Sequence, residues 1–184
     1  FASLKIRETI DDKKGIASSY IGIGLVYYAQ SNYPDALKNY FASLKIREAI
    51  GDKAGIASSY GNIGNVYYSL ENYPEALKNY FAALKIREAI DDKVGIAYSY
   101  NNIGNVYNSQ GNYPEALKNY FVALKIREEI GDKRGIADTY NNIGIVYKVQ
   151  GNYPGVHPIE RDSLLNRALE NHFASLKINE VIGN

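Results

Sequence analysis

A strict 40-residue period constrains this 184-residue chain more than any other feature of its sequence. The segment Phe-Ala-Ser-Leu-Lys-Ile-Arg-Glu opens at Phe1, recurs at Phe41, and has close copies at Phe81 and Phe121. Residues 41–80 and 81–120 differ at only eight of their 40 positions. Periods of about 20–50 residues are typical of solenoids, propellers and arrays, whose units bury their apolar faces against one another. The sequence therefore predicts an array of similar units.

Each unit is predicted to contain two helices. In the second unit, Asp52 is the expected N-cap of helix A, roughly 53–70. Apolar residues then recur at steps of four, three and four, which indicates one buried helical stripe: Ile56, Tyr60, Ile63 and Tyr67. Pro74 is expected at the first position of helix B, roughly 74–90, where its missing N–H costs nothing. Helix B is expected to turn Ala76, Leu77, Tyr80, Phe81 and Leu84 inward and its Lys-Ile-Arg-Glu run outward.

These residues carry a resemblance to the tetratricopeptide repeat (TPR) family. The positions that match the spacing of the TPR signature are Tyr60, Ile63, Gly64, Tyr67, Tyr73, Ala76, Tyr80 and Ala83. The 40-residue period and the Asn-Ile-Gly-Asn core resemble the Leu-Gly-Asn repeats of Pins-like polarity scaffolds, kinesin light chains and TPR arrays of bacterial signalling proteins. The resemblance implies an all-α fold, a right-handed α-solenoid of TPR-like helical hairpins.

The expected domain organisation is one repeat array over residues 1–184. Its units are roughly 13–50, 53–90, 93–130 and 133–182, with an insertion at 155–166. The segment at Phe1 is repeated at Phe173, and both copies are predicted to be uncapped B-helix ends. Either more repeats flank this fragment, or the terminal helices associate with other chains.

Composition and motifs argue against several classes of function. Net charge is +1, with interleaved charges, which disfavours a nucleic-acid surface. No apolar run is long enough for membrane insertion, and the absence of Cys excludes thiol chemistry. We find no phosphate-binding loop, no nucleophilic triad and no pair of metal-ligating histidines. We therefore expect no catalysis, no cofactor and no metal. We expect a cytoplasmic location, although targeting signals are not observable in a fragment.

The A helices vary most along one stripe, opposite their core stripe. In the first A helix its five positions are Lys14, Ser18, Ile21, Leu25 and Tyr28, and each recurs every 40 residues in the other three A helices. These positions follow steps of four, three, four and three, within an arc of about 80°. Only four of the twenty residues are charged and eight are apolar or aromatic, unlike a face that is merely solvated. In TPR solenoids helix A lines the concave groove, so the resemblance implies that this stripe faces a ligand. Neutral drift of a solvent-facing stripe is the alternative.

Asparagines form a ladder beside this stripe, with Asn62, Asn102 and Asn142 at equivalent positions and Asn65 and Asn105 one turn on. An amide offers a donor and an acceptor, so it can pair with a peptide main chain of any sequence. Similar asparagines in Pins-like and kinesin light chain grooves clamp extended peptides; the alternative is that these residues bond to helix termini or to one another. The full candidate peptide-binding set is Asn62, Asn65, Tyr68, Tyr98, Asn101, Asn102, Asn105, Asn108, Arg134, Asp138, Asn141, Asn142 and Lys148.

The two ends of the stripe differ in chemistry. Ile21, Leu25 and Tyr28 make one end apolar, whereas Arg134 and Lys148 make the other basic. The expected ligand therefore combines a hydrophobic anchor with an acidic stretch.

The insertion from Gly155 to Asn166 allows two local structures. Pro158 could start a helix running to Ile182, or a loop could lead to a shorter helix capped by Asp162 or Ser163. The segment would then serve as an extra contact, a lid over the groove or a tolerated loop.

The most consistent function is a non-catalytic scaffold that binds an extended peptide or partner segment along the A helices. One alternative is a regulatory or sensory repeat region of a larger signalling enzyme. Another is a structural array that self-assembles through its uncapped terminal helices.

Overall fold

The computed structural model describes residue 7 and residues 9–183, and this part of the chain is all-α. Its helices alternate as predicted hairpin partners: α1 (Lys13–Ala29), α2 (Tyr33–Ala49), α3 (Lys53–Ser69), α4 (Tyr73–Ala89), α5 (Lys93–Ser109), α6 (Tyr113–Ile130), α7 (Lys133–Gly151) and α8 (Pro158–Ile182). The odd-numbered helices are the predicted A helices and the even-numbered ones the B helices. Residues 1–6, which include the predicted B-helix segment at Phe1, lie outside the described residues.

Local capping chemistry explains where the helices begin. Asp52 caps α3 as predicted, because its Oδ1 accepts a hydrogen bond from the Gly55 N–H at 3.1 Å. Asn72 caps α4 through the Glu75 N–H at 3.4 Å, so that helix begins at Tyr73 and Pro74 is its second residue. The residue before Asn72, Glu71, has a φ of 56°, a left-handed conformation that turns one helix into the next. The equivalent turn residue in the following hairpin is Gly111.

The chain divides into two compact units, Phe1–Asp92 and Lys93–Asn184. In the first unit, α1 packs against α2 and α3 against α4, and α2 also contacts α3. Its core contains Ala36, Tyr40, Leu44, Ile63 and Val66. The second unit repeats this arrangement with α5 to α8 and a core of Ala116, Tyr120, Leu124, Ile143 and Val146. The single array of the sequence prediction stays a prediction, while each unit has the predicted hairpins.

A glycine lets the helices of each hairpin approach closely. A Cβ built on Gly64 would lie 2.6 Å from Cε1 of Tyr80, whose ring is buried against the glycine. Gly24 and Gly104 contact Tyr40 and Tyr120 in the same way. In the last hairpin, His172 takes the place of the tyrosine and packs against Gly144. The sequence analysis identified the glycine in the signature, and the packing shows the reason for it.

Two predicted orientations on the B helices are wrong. Phe81 does not point into the core, because 46% of it is exposed. The Lys-Ile-Arg-Glu run does not face outward as a whole, because the arginine side chain turns inward. Arg127 is only 3% exposed, and the Arg47 side chain is 12% exposed. The lysines and glutamates of the runs, such as Lys85 and Glu88, are exposed as expected.

The insertion forms part of a continuous helix. Helix α8 runs from Pro158 to Ile182, with His157 as its N-cap, so the alternative of a loop and a shorter helix capped by Asp162 or Ser163 is wrong. At 25 residues it exceeds the 17 residues of α2 and α4. Among the described residues, no helix has the length and apolar character needed to cross a membrane.

Candidate functional site

The variable stripe of the A helices lies on solvent-accessible positions. None of its twenty residues is buried, and its large apolar members include Tyr98, which is 54% exposed, and Leu25, which is 48% exposed. The core side of the same helices is closed, since Ile63, Ile103 and Ile143 are fully buried. Each unit therefore presents its own A-helix stripe, on α1 and α3 in the first unit and on α5 and α7 in the second. We refer to these surfaces as the A-helix stripes.

Two of the candidate asparagines are bonded inside their own hairpins. The Tyr80 hydroxyl donates a hydrogen bond to Asn65 Oδ1 at 2.8 Å, and Tyr120 does the same to Asn105 Oδ1 at 2.7 Å. Burial, followed by the neighbouring Tyr28 and Tyr68, raises the pKa of Tyr80, so its hydroxyl stays protonated and able to donate. These bonds give Asn65 and Asn105 a role in joining helices A and B.

A second group of candidate amides pairs within the second unit. Asn142 Nδ2 donates to Asn101 Oδ1 at 3.2 Å, which links α7 to α5. Asn141 Oδ1 lies 3.2 Å from Nδ1 of His172 on α8. These pairs match the expected alternative in which asparagines bond to one another or to neighbouring helices. Asn142 in particular supports the packing of the two A helices.

The remaining candidate amides have no such partner. Asn62, Asn102 and Asn108 are partly exposed, and their side chains make no hydrogen bond to any residue in the described part of the chain. Tyr68, beside them, packs against Tyr73 with ring centroids 6.1 Å apart. The ladder therefore contains both occupied amides and amides whose donors and acceptors face solvent.

The charged candidates lie on α7 and are exposed. Arg134, Asp138 and Lys148 occupy one side of this helix, and none forms an ion pair within the described residues. Tyr98 lies over a different cation, the buried Arg127 guanidinium, whose Cζ is 5.4 Å from the ring centroid. This cation–π contact fixes the position of the Tyr98 ring, and much of the residue stays exposed to solvent.

The arginine of each Lys-Ile-Arg-Glu run is a structural residue that the sequence analysis missed. Arg127 Nη1 donates to Gly135 O at 2.6 Å and to the Thr139 hydroxyl, and its guanidinium lies 3.8 Å from Asp132. Burial lowers the pKa of Arg127, but a guanidinium remains charged in proteins. The arginine thus clamps a B helix to the start of the following A helix.

The same clamp recurs with small changes. Arg7 Nη1 donates to Gly15 O at 2.6 Å and to Ser19 Oγ at 2.9 Å. Arg47 instead pairs with Asp52 at 3.0 Å, and Ser59 Oγ is buried without a partner. A Cβ on Gly55 would overlap the Arg47 guanidinium, which explains the recurrent glycine. The available sequence signal was a glycine eight residues, and a serine or threonine twelve residues, after each arginine.

No group of three or more His, Asp or Glu side chains able to hold a metal ion occurs among the described residues. The stripes and the asparagines beside them present exposed aromatic rings, solvent-facing amides and a few separated charges.

Comparisons with known proteins show the family to which the sequence belongs and the solved structures that share its fold. The sequence matches the tetratricopeptide repeat family over residues 15–89 and 95–172. No curated protein gives a significant match. Among solved structures, BtubC (BKLC) from P. vanneervenii is similar, with a TM-score of 0.71 and 23% identity over 88% of this chain and 65% of that protein.

Two other solved structures extend the comparison. One is a Signal Transduction ATPase with Numerous Domains (STAND) protein from Pyrococcus horikoshii with a tetratricopeptide repeat sensor (TM-score 0.72, 20% identity, 97% of this chain and 29% of that protein). The other is the Rap conjugation gene regulator of plasmid pLS20 in complex with the Phr* peptide (TM-score 0.68, 14% identity, 97% of this chain and 57% of that protein). At these identities the likeness concerns the fold, and the chain spans less than two thirds of each of these proteins. The predicted TPR resemblance is confirmed, and the chain belongs to the tetratricopeptide repeat family.

Proposed function

We propose that the A-helix stripes bind extended peptide segments of a partner protein, without catalysis. The observation that carries the proposal is that Asn108 on these stripes, and Asn62 and Asn102 directly beside them, are partly exposed and have side chains bonded to no described residue. An amide in this state can accept from a peptide N–H and donate to a peptide C=O at once, and so can recognise an extended main chain.

Specificity would come from the residues around these amides. In the first unit, Leu25 is 48% exposed and offers an apolar contact beside Ile21. In the second unit, Arg134 and Lys148 offer positive charge, partly offset by Asp138. We propose that the first unit takes a hydrophobic anchor and that the second prefers an acidic segment, because exposed ion pairs discriminate partners through complementarity. The peptide complex of the Rap regulator supports the proposed class of ligand.

A peptide-display screen with the double variant Asn62→Ala/Asn102→Ala tests the proposal. We expect peptides that bind the parent chain and lose most of their affinity for the double variant, because the stripe of each unit loses a main-chain contact. Asn142 is left unchanged, since it supports the packing of α7 on α5. The matched control is Asn171→Ala on α8, whose exposed amide lies off the stripes. Peptides that bind all three chains equally would refute a role for the amides.

Charge reversal tests the proposed preference in the second unit. Arg134→Glu with Lys148→Glu should weaken acidic ligands several-fold, since each exposed pair contributes about 0.2–1 kcal/mol. The loss of affinity caused by the charge reversal should be smaller at high salt, because salt screens exposed charges. Unchanged affinity for acidic peptides would contradict the proposed acidic preference. It would not affect the proposed contacts of the amides.

A sensory role in a larger signalling protein is the second candidate. It is favoured by the similarity to the STAND protein with a TPR sensor, of which this chain covers 29%. In that case the peptide bound on the stripes belongs to the same polypeptide. An enzymatic domain in the same reading frame, together with competition between that domain and the displayed peptides, would support this candidate.

A further inference from the structure

Residues of the insertion and of the neighbouring repeats together line a pocket in the second unit. The first turns of α8 lie near the α5–α6 turn and the end of α7, within the second unit. Together they line an open depression of about 550 Å³. The lining residues are Gln110, Gly111, Tyr113, Gln150, Tyr153, Val156, Glu160 and Leu164. We refer to this space as the insertion pocket. Its volume lies within the range of small-molecule and side-chain sites, about 300–1,000 Å³.

Tyr153 shows how the insertion changes the hairpin. Its counterpart Tyr113 begins α6 and is partly buried, because the helix starts at once. After Tyr153 the helix is delayed until Pro158, and Gly155 turns the chain with a φ of 91°. Tyr153 is consequently 61% exposed at the edge of the pocket. Tyr113 and Tyr153 therefore line the same pocket, the first partly buried and the second exposed.

The charge and hydrogen-bonding groups of the pocket favour a cation. Glu160 is the only charged residue among the eight that line it. Two tyrosine rings add electron-rich faces, which attract cations when these lie within about 6 Å of the ring centroid. Gln150 Oε1 is buried without a hydrogen-bond partner, so turning this carbonyl towards a ligand donor would break no existing bond.

The apolar groups of the pocket indicate what carries the cation. Val156 and Leu164 are partly buried beside the polar groups and present aliphatic surface. Alkyl stems of long cationic groups pack along such surface while the charged end reaches polar partners. A bare inorganic cation would leave this surface unused.

We propose that the insertion pocket binds a guanidinium or ammonium group on an alkyl chain, with Glu160 as its counter-ion. This function goes beyond peptide binding on the A-helix stripes, since none of the lining residues belongs to the stripes. The same chemistry has two sources: an arginine or lysine side chain of a protein, or a free alkyl amine.

Nuclear magnetic resonance titration of the full chain with two probes tests the proposal and separates the sources. The probes are n-butylguanidine, a free alkyl guanidine with one positive charge, and the blocked tripeptide acetyl-Gly-Arg-Gly-amide, which also has one. Gly155 and Val156 belong to the insertion, so their amide signals report on this pocket without confusion from repeated sequence. We expect saturable shifts at both signals, with glutarate as an anionic probe that produces none. Tighter binding of n-butylguanidine identifies a free small molecule as the source, and tighter binding of the tripeptide identifies a side chain of a protein.

Glu160→Gln should weaken either probe about five- to tenfold, which corresponds to about 1–1.4 kcal/mol. The matched control is Glu170→Gln, which removes the same charge from an exposed position on the same helix and should leave the affinity within about twofold. Circular dichroism of both variants checks that α8 is intact. The absence of saturable shifts with both probes, or shifts that persist at equal affinity in Glu160→Gln, would overturn the proposal.

Discussion

Replacing Asn65 with alanine should cost stability that the same change at Asn62 does not. Asn65 Oδ1 accepts the hydrogen bond from the Tyr80 hydroxyl, and Tyr80 is only 3% exposed. Asn62 lies one turn earlier on the same helix, and its side chain bonds to no described residue. The two residues therefore differ in their partners while sharing residue type and helix.

The expected loss of stability follows from the Tyr80 hydroxyl, which is left without its acceptor. Asn65→Ala removes the acceptor of a buried hydroxyl, and an unsatisfied buried group costs about 1–3 kcal/mol. Both substitutions gain about 0.5 kcal/mol in helix propensity, so this contribution cancels when the two variants are compared. We therefore expect Asn65→Ala to be about 1–3 kcal/mol less stable than Asn62→Ala.

Urea unfolding followed by circular dichroism measures this difference. Adding Tyr80→Phe to Asn65→Ala removes the stranded hydroxyl, so the double variant should be about as stable as Tyr80→Phe alone. The corresponding double-mutant cycle should show a coupling of about 1–3 kcal/mol, the cost of the stranded hydroxyl. If Asn65→Ala matches Asn62→Ala within about 0.5 kcal/mol, the assignment of Asn65 to hairpin packing is refuted.

Two further predictions concern the packing of α1 on α2. Gly22→Ala should stabilise the chain by up to about 1 kcal/mol, because the added methyl group meets nothing within 4 Å. Gly24→Ala places its methyl group against the Tyr40 ring, so this variant should be about 1–3 kcal/mol less stable than Gly22→Ala in urea unfolding. Equal stabilities of the two variants would contradict the close approach of α1 and α2. Burial, followed by Tyr28, raises the pKa of Tyr40 to about 12, above its unfolded value of about 10. The folded state therefore holds its proton more tightly, and stability should fall as pH rises from about 10 to about 12. Unfolding midpoints across this pH range should fall less steeply in Tyr40→Phe, and an unchanged slope would argue against the shift.

Helix positions were predictable from the sequence because they depend on local chemistry. Asp52 caps α3 through a residue three places later, and the Ile56-to-Tyr67 stripe repeats with the period of one helix. Such signals lie within a few residues of one another, so one repeat is enough to read them. The predicted bounds of the second unit agree with the observed bounds to within one residue.

The roles of the asparagines were not predictable in the same way. Asn62 and Asn65 are the same residue type on neighbouring turns, and only the approach of Tyr80 from the partner helix distinguishes them. That approach depends on how Gly64 lets the helices pack. The prediction that the stripe is a peptide site remains untested by the fold, and the packing has divided its asparagines into bonded and unbonded groups.

The predicted orientations of the arginine and phenylalanine side chains were wrong for a different reason. A Lys-Ile-Arg-Glu run is polar on average, so it indicates a solvated face, whereas Phe81 is apolar and indicates a core position. The space at Gly55 and Gly135 reverses the first expectation, because it admits a guanidinium between helices. Residue type alone carries no information about that space.

The arginine clamp also bears on how such a chain changes length. Its parts are an arginine, an aspartate five residues on, a glycine and a serine or threonine, all within one short stretch such as Arg7 to Ser19. Deleting residues 53–92 would join Asp52 to Lys93 and place Gly95 and Ser99 where Gly55 and Ser59 stood relative to Arg47. Any loss or gain of one full period thus regenerates the junction it interrupts. The number of hairpins in such an array can therefore change by whole periods without a redesigned junction.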